Sequence, residues 1–134
     1  MILQGGYNNY GIPIGVISLE SFFAKPEGHV RYAPTFDFPV LYKTVKGATI
    51  DRLIRCGDPE LLEPFIQAAR ELEAEGVKAI TGSCGFLALH QREIAKAVKI
   101  PVFMSSLIQV PLVAQMLSPE RKIAVIVANS SALT

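Results

Sequence analysis

Four short apolar runs alternate with segments of helical period, and this alternation constrains the fold more than any other feature of the chain. Residues 14–19, 39–45, 78–81 and 101–104 are each too short for a core helix and carry β-branched or aromatic side chains. Between the second and third runs, Asp58-Pro59-Glu60 supplies an N-cap followed by proline at the first helical position. Leu62, Phe65, Ile66, Ala69 and Leu72 then recur at three- and four-residue steps, and Gly76 closes the segment. Leu87, Ile94 and Val98 form a second stripe that ends before Pro101. Strands separated by helices pair in parallel through right-handed crossovers. The expected fold is therefore α/β, an open, mainly parallel sheet with helices on both faces in three layers.

Other stretches are read by the same rules. Residues 1–11, rich in Gly, Asn and Tyr, are expected to be a flexible lead-in. Residues 20–38, with Pro26, Gly28, Pro34 and several aromatics, read as a long loop that covers a site, and His29 and Arg31 lie in it. A short helical turn is expected over 50–56, and Pro64 is expected to bend the helix that follows. The segment 108–117 is apolar nearly all round, which predicts a helix buried between layers, domains or subunits, hence a homodimer. A fifth strand is expected over 123–128, followed by a helix cap at Asn129-Ser130-Ser131. These readings place a first α/β domain at 12–120 and the opening strand of a second, truncated domain at 121–134.

Composition narrows the function. A net charge of +1 with no cluster of Lys and Arg argues against nucleic acid or an anionic membrane as partner. The two cysteines, Cys56 and Cys84, are too few and too far apart for a zinc knuckle or a redox pair, so no metal and no cofactor are expected. The N-terminal residues lack the basic region and apolar core of a secretory signal, and no apolar run approaches the roughly 20 residues of a membrane span. A cytoplasmic location is the expectation.

The chemistry centres on residues 77–86, Val-Lys-Ala-Ile-Thr-Gly-Ser-Cys-Gly-Phe, a strand that runs into a glycine-flanked cysteine and then a helix. Gly82 and Gly85 are expected to supply unusual backbone angles and room for a ligand. At the start of a helix, free N–H groups and the dipole lower a thiol pKa from about 8.5 toward roughly 3.5–7.5, making a base or nucleophile. Cys84 also fits the plain role of a small buried hydrophobe, and both readings stand at this point. His29 is read as solvated or catalytic, His90 as surface or partly packed, and Cys56 as structural. In parallel sheets ligands bind at the carboxyl edge, where Ser18, Cys84 and Ser105 are expected to converge.

These residues resemble the aspartate/glutamate/hydantoin racemase superfamily. The likeness lies in residues 14–19, 38–42, 76–86, 100–106 and 121–125, with the cysteine turn as its most specific part. It implies a cofactor-independent racemase built of two similar α/β domains, each giving one cysteine, that moves a proton at the carbon next to a carboxylate. By that resemblance Cys84 is the catalytic thiol of the first domain. Ser83, Gly85 and Phe86 would shape the pocket, Ser105 and Ser106 would contact the carboxylate of a small carboxylate or amino-acid substrate, and Asn129 and Ser130 would stand at the entrance to the second domain. Ser18 would lie at the same sheet edge. The chain departs from the family with Cys84-Gly85-Phe86 in place of Cys-Asn-Thr, with Ser18-Leu19 in place of Asp-Ser, and with no second cysteine in the matching place.

Three other readings are open. One is a one-cysteine decarboxylase or maleate-type isomerase of the same fold. Another is a non-catalytic dimerising remnant. The last is a nucleotide-binding module, which Gly82-Ser83-Cys84-Gly85 fits poorly because it is neither a dinucleotide fingerprint nor a P-loop.

Overall fold

The computed structural model describes residues 4–132. Strands β1 (Ile14–Leu19), β2 (Val40–Val45), β3 (Ala79–Gly82) and β4 (Val102–Phe103) form one sheet in the order β2-β1-β3-β4. All pairings are parallel, with Val16 opposite Tyr42 on one side and Thr81 on the other. The fold is α/β, as the alternation predicts.

The central strand explains the arrangement. Val16, Ile17 and Ser18 are wholly buried, as befits a strand paired on both edges and covered on both faces. Gly15 lets a helix lie close, since a Cβ there would stand 3.0 Å from a Leu72 methyl. On the opposite face, the Tyr42 hydroxyl donates to the Val30 carbonyl at 3.0 Å and ties the 20–38 loop to the sheet.

Helix α1 (Leu62–Glu75) starts later than its sequence cap suggests. Asp58 does accept from the Glu60 N–H at 2.9 Å, but Pro59–Leu61 form a 3₁₀ turn first. Pro64 therefore falls in the first turn of α1, where its missing N–H removes no hydrogen bond, and the expected bend does not arise. The buried face is Leu61, Phe65, Ala68, Ala69 and Leu72, while Leu62 and Ile66 sit at its margin. Phe65 is wholly buried in one core cluster with Ile17, Leu53, Ile80, Leu87 and Met104, and truncating a side chain so placed costs about 3–5 kcal/mol. Gly76 ends α1 with φ +101, and a side chain there would also strike the Asn9 carbonyl. Asn9 in turn donates its backbone N–H to Glu75 at 3.0 Å, so the segment expected to be a free lead-in is tied to the helix end.

A 3₁₀ segment, Gly85–His90, leads into α2 (Gln91–Ala97). Gln91 pins the short strand β4: its amide donates to Val102 O at 2.9 Å and accepts from Met104 N at 2.8 Å. The expected turn at 50–56 is a π-helix over Asp51–Arg55.

Two further expectations differ from what is observed. Residues 121–127 have no regular secondary structure, because no strand lies beside them to satisfy their backbone, and Ile126 is 99% exposed. Helix α3 (Val110–Met116) is not buried among the described residues, with Leu112 and Met116 55% and 71% exposed. No helix among the described residues is long and apolar enough to cross a membrane.

The two glycines around Cys84 should behave differently. A Cβ on Gly82 would stand 2.5 Å from the Met104 carbonyl and 2.8 Å from a Leu87 methyl, whereas one on Gly85 meets only the Ser105 hydroxyl at 3.8 Å. Urea unfolding should show Gly82→Ala losing about 1–3 kcal/mol and Gly85→Ala losing less than about 0.5 kcal/mol.

Candidate active site

Strand β3 delivers its last residues to the carboxyl edge of the sheet, where Ser83 N–H donates to Ile17 O at 2.9 Å. Cys84 follows in extended conformation (φ −138, ψ 132), and the 3₁₀ segment begins at Gly85, with Leu87 N–H bonded to Cys84 O at 3.0 Å. Neither Gly82 nor Gly85 has a positive φ. Gly82 is required for close approach to β4, and the expected special backbone angles are not its reason.

The thiol is free and half-buried. Burial pushes its pKa up from the ordinary value, and a hydrogen bond from the Phe86 backbone opposes that only in part. The lowered pKa expected at a helix start is thus reversed. Loss of water around the sulfur outweighs a single N–H from a tight 3₁₀ turn.

Cys84 lines two cavities. One, of about 120 Å³, is lined by Leu19, Ser21, Phe23, His29, Arg31, Ile50, Ile54, Ser83 and Cys84. The other, of about 390 Å³, is lined by Ile54, Ser83, Cys84, Gly85, Phe86, Ser105, Ser106, Leu107 and residues 126–128. Ile54, Ser83 and Cys84 are common to both linings, so Cys84 borders the two cavities. A further cavity of about 450 Å³ between β2 and α1 is lined in part by Lys43 and Glu71, which are ion-paired, and no Cys, Ser, Thr or His lines it.

The structure brings Ser83, Gly85, Phe86, Ser105 and Ser106 together with Cys84. Ser105 caps the next 3₁₀ turn, its Oγ accepting from Leu107 N at 3.2 Å. Ser18 is not part of this group. It is fully buried, its Oγ has no partner among the described residues, and it lines neither cavity, because alternation along β1 turns it to the face opposite Leu19. Asn129 donates to Ile54 O at 3.1 Å and accepts from Ser131 N, while Ser130 begins a short 3₁₀ turn. Neither lines these cavities, although their neighbours 126–128 do.

His29 lies in the smaller cavity, and its Nδ1 accepts from Arg31 N at 2.9 Å, which leaves the proton of a neutral ring on Nε2. Arg31 Nη1 donates to Leu19 O at 2.9 Å and Ser21 Oγ at 2.8 Å. Its Nε and Nη2 make no hydrogen bond to another described residue. His90 is packed on Phe65 with ring centroids 5.5 Å apart; burial lowers its pKa, and it lines neither cavity. Cys56 is exposed. No group of His, Cys, Asp and Glu among the described residues is arranged to hold a metal. Sequence reasoning did not single out Ser21, Phe23, Ile50 or Ile54. The available signal was the density of aromatics in the 20–38 loop and the short turn after β2.

The chain is similar to dimethylsulfoniopropionate lyase 3 of Emiliania huxleyi (strain CCMP1516), 34% identical over 122 residues, which is 90% of this chain and 32% of the relative. It is also similar to dimethylsulfoniopropionate lyase 6 of the same organism, with the same identity and coverage. The dimethylsulfoniopropionate lyase of Durusdinium sp. clade D is 34% identical over 123 residues, 90% of this chain and 40% of the relative. The chain thus spans about a third of the length of the curated relatives it matches. No protein-family model matches the chain, and no solved structure does. These relatives are named lyases, which overturns the expectation of a racemase or other isomerase acting on amino acids and gives no support to the decarboxylase reading.

Two measurements follow from the geometry. Cys56 is exposed and Cys84 half-buried with a raised pKa, so mass-spectrometric mapping after brief iodoacetamide treatment at pH 7.5 should find Cys56 labelled first. Labelling of Cys84 should keep rising as pH passes 9.0, the ordinary value from which its thiol is raised. Ser18→Ala removes a buried hydroxyl that has no partner among the described residues, and its urea midpoint should be unchanged or higher, by up to about 1 kcal/mol in stability.

Proposed function

We propose that Cys84 is the base of a β-eliminating lyase and that its substrate is dimethylsulfoniopropionate or a carboxylate of the same onium type. The observation that carries this reading is that Cys84 lines both an Arg31-lined cavity and a Ser105-Ser106 cavity. The names of relatives matching 90% of the chain support it. In the elimination, the thiolate takes a proton from the carbon next to the carboxylate. The C–H electron pair becomes the new double bond, and the bond from the neighbouring carbon to sulfur breaks with its pair going to sulfur. The products are acrylate and neutral dimethyl sulfide, and Cys84 then returns its proton to water. One base suffices, because nothing has to be delivered to the opposite face of the carbon.

The raised thiol pKa suits this chemistry. A thiolate of high pKa is a stronger base, and a cationic substrate brought within about 4–6 Å favours its formation. Arg31, through its unengaged Nε and Nη2, is the proposed partner of the carboxylate, and Ser105 and Ser106 line the other cavity that Cys84 borders. Ser83, Gly85 and Phe86 are proposed to shape the pocket. The free thiols Cys56 and Cys84 suit a reducing, cytoplasmic setting, and the exposed apolar side chains of α3 support the proposed homodimer, which sedimentation at micromolar concentration would test.

The deciding assay is dimethyl sulfide release from dimethylsulfoniopropionate by the full chain. Cys84→Ser should lower kcat at least about 10²-fold, and Arg31→Gln should raise KM about tenfold with a smaller effect on kcat. Because the free thiol titrates above its ordinary value, kcat/KM should climb with pH through neutrality without a plateau before pH 9.0. Undiminished release by Cys84→Ser would sink the reading.

A further inference from the structure

The loop over the smaller cavity holds a cation on an aromatic face. Phe23 lines that cavity beside Cys84, and the Lys25 ammonium stands 4.0 Å from the Phe23 ring centroid. The same ammonium donates to Ser21 O at 2.8 Å and Phe23 O at 2.5 Å. The cradle is thus a π face and two carbonyl dipoles. Lys25 forms no ion pair among the described residues, and its charged form is disfavoured first by loss of water and then by the nearby positive charge of Arg31. Glu20 is engaged elsewhere, accepting from Gly47 N at 3.1 Å. An ammonium held in this way loses little on leaving, since it is strongly hydrated and sits on a flexible stem. A methylated onium group has the opposite preference: it cannot donate hydrogen bonds, it is weakly hydrated, and an aromatic face is its favoured partner.

We propose that the Phe23 face with the Ser21 and Phe23 carbonyls is a subsite for the onium head of the substrate, with Lys25 as an internal occupant that the head displaces. This rests on reading the Cys84 cavity as a lyase site. It assigns the two ends of a zwitterionic substrate to separate parts of one loop, the carboxylate to Arg31 and the onium to Phe23. It also makes Phe23 a specificity residue and Lys25 a competitor for its ring.

Calorimetric binding in the full chain carrying Cys84→Ala, which cannot turn over ligand through the thiol, tests this with two probes of one shape. One is 3-(trimethylammonio)propionate, cationic at its head, and the other is 4,4-dimethylpentanoate, its isostere with a neutral head; each is called cationic or neutral by its head alone. The cationic probe should bind about tenfold more tightly than the neutral one. Phe23→Ala should abolish that preference and Phe23→Tyr should keep it, while Lys25→Ala should tighten the cationic probe severalfold and leave the neutral one unchanged. Equal affinities, no binding of either probe, or a preference that survives Phe23→Ala would overturn the proposal. Dimethyl sulfide release separates this result from the fate of the parent reading. A Phe23-dependent preference without release leaves the subsite standing and removes the lyase. Release by Phe23→Ala with unchanged KM removes the subsite and leaves the lyase standing.

Discussion

Parallel pairing of β1 with β2 on one edge and β3 on the other is the constraint on which the rest of the molecule depends. Because the strands run the same way, the segments leaving β1, β3 and β4 all emerge at one edge of the sheet. That brings the 20–38 loop, the Cys84 turn and Ser105-Ser106 within reach of one another although they are far apart in sequence. The pairing of β3 with β4 in turn needs a close approach that only glycine permits, Gly82 against the Met104 carbonyl, while Gly15 leaves room for the Leu72 side chain of α1. Gln91 completes the assembly from the helix side, where its amide replaces the strand partner that β4 lacks at Val102 and Met104.

The same packing decides the state of the thiol. A cysteine at a strand-to-helix turn has one source of stabilisation for its anion, here the Phe86 backbone, and one penalty, which is desolvation. In this chain the penalty is larger. A thiol kept protonated by burial is quiet until something positive enters its cavity, and a cationic substrate is such a thing. The chemistry of the ligand and the environment of the base are therefore matched in the proposed lyase. An uncharged amino-acid side chain or a lone carboxylate offers no comparable help.

Much of the framework was legible in the chain. The strands at 14–19, 40–45, 79–82 and 102–103 and the N-cap at Asp58 follow from short-range preferences that tertiary contacts reinforce. So does the gathering of Ser83, Gly85, Phe86, Ser105 and Ser106 around Cys84, since parallel topology alone brings those turns together. Other readings failed for identifiable reasons. Ser18 was assigned to the sheet edge by its position in the strand, but side-chain direction in a strand alternates, and a place at the edge does not say which way a residue points. Residues 123–128 have the composition of a strand, yet a strand exists only where a neighbour takes up its hydrogen bonds. The racemase resemblance rested on the residues around the cysteine turn, and relatives named lyases overturn it, because a turn that places a cysteine at a sheet edge does not specify the reaction carried out there.

What the sequence by itself determined was the order of strands and helices and the chemical identity of the turn at Cys84, because both depend on residue type and on neighbours a few positions away. Tertiary structure alone decided that the thiol is desolvated, that Arg31, Phe23 and Ile54 share its cavity, and that Lys25 rests on the Phe23 ring. These are consequences of water exclusion and of a long loop folding back over a sheet edge, and neither depends on local sequence. Burial and proximity are properties of the packed molecule, and they govern whether a cysteine is inert filler or a base.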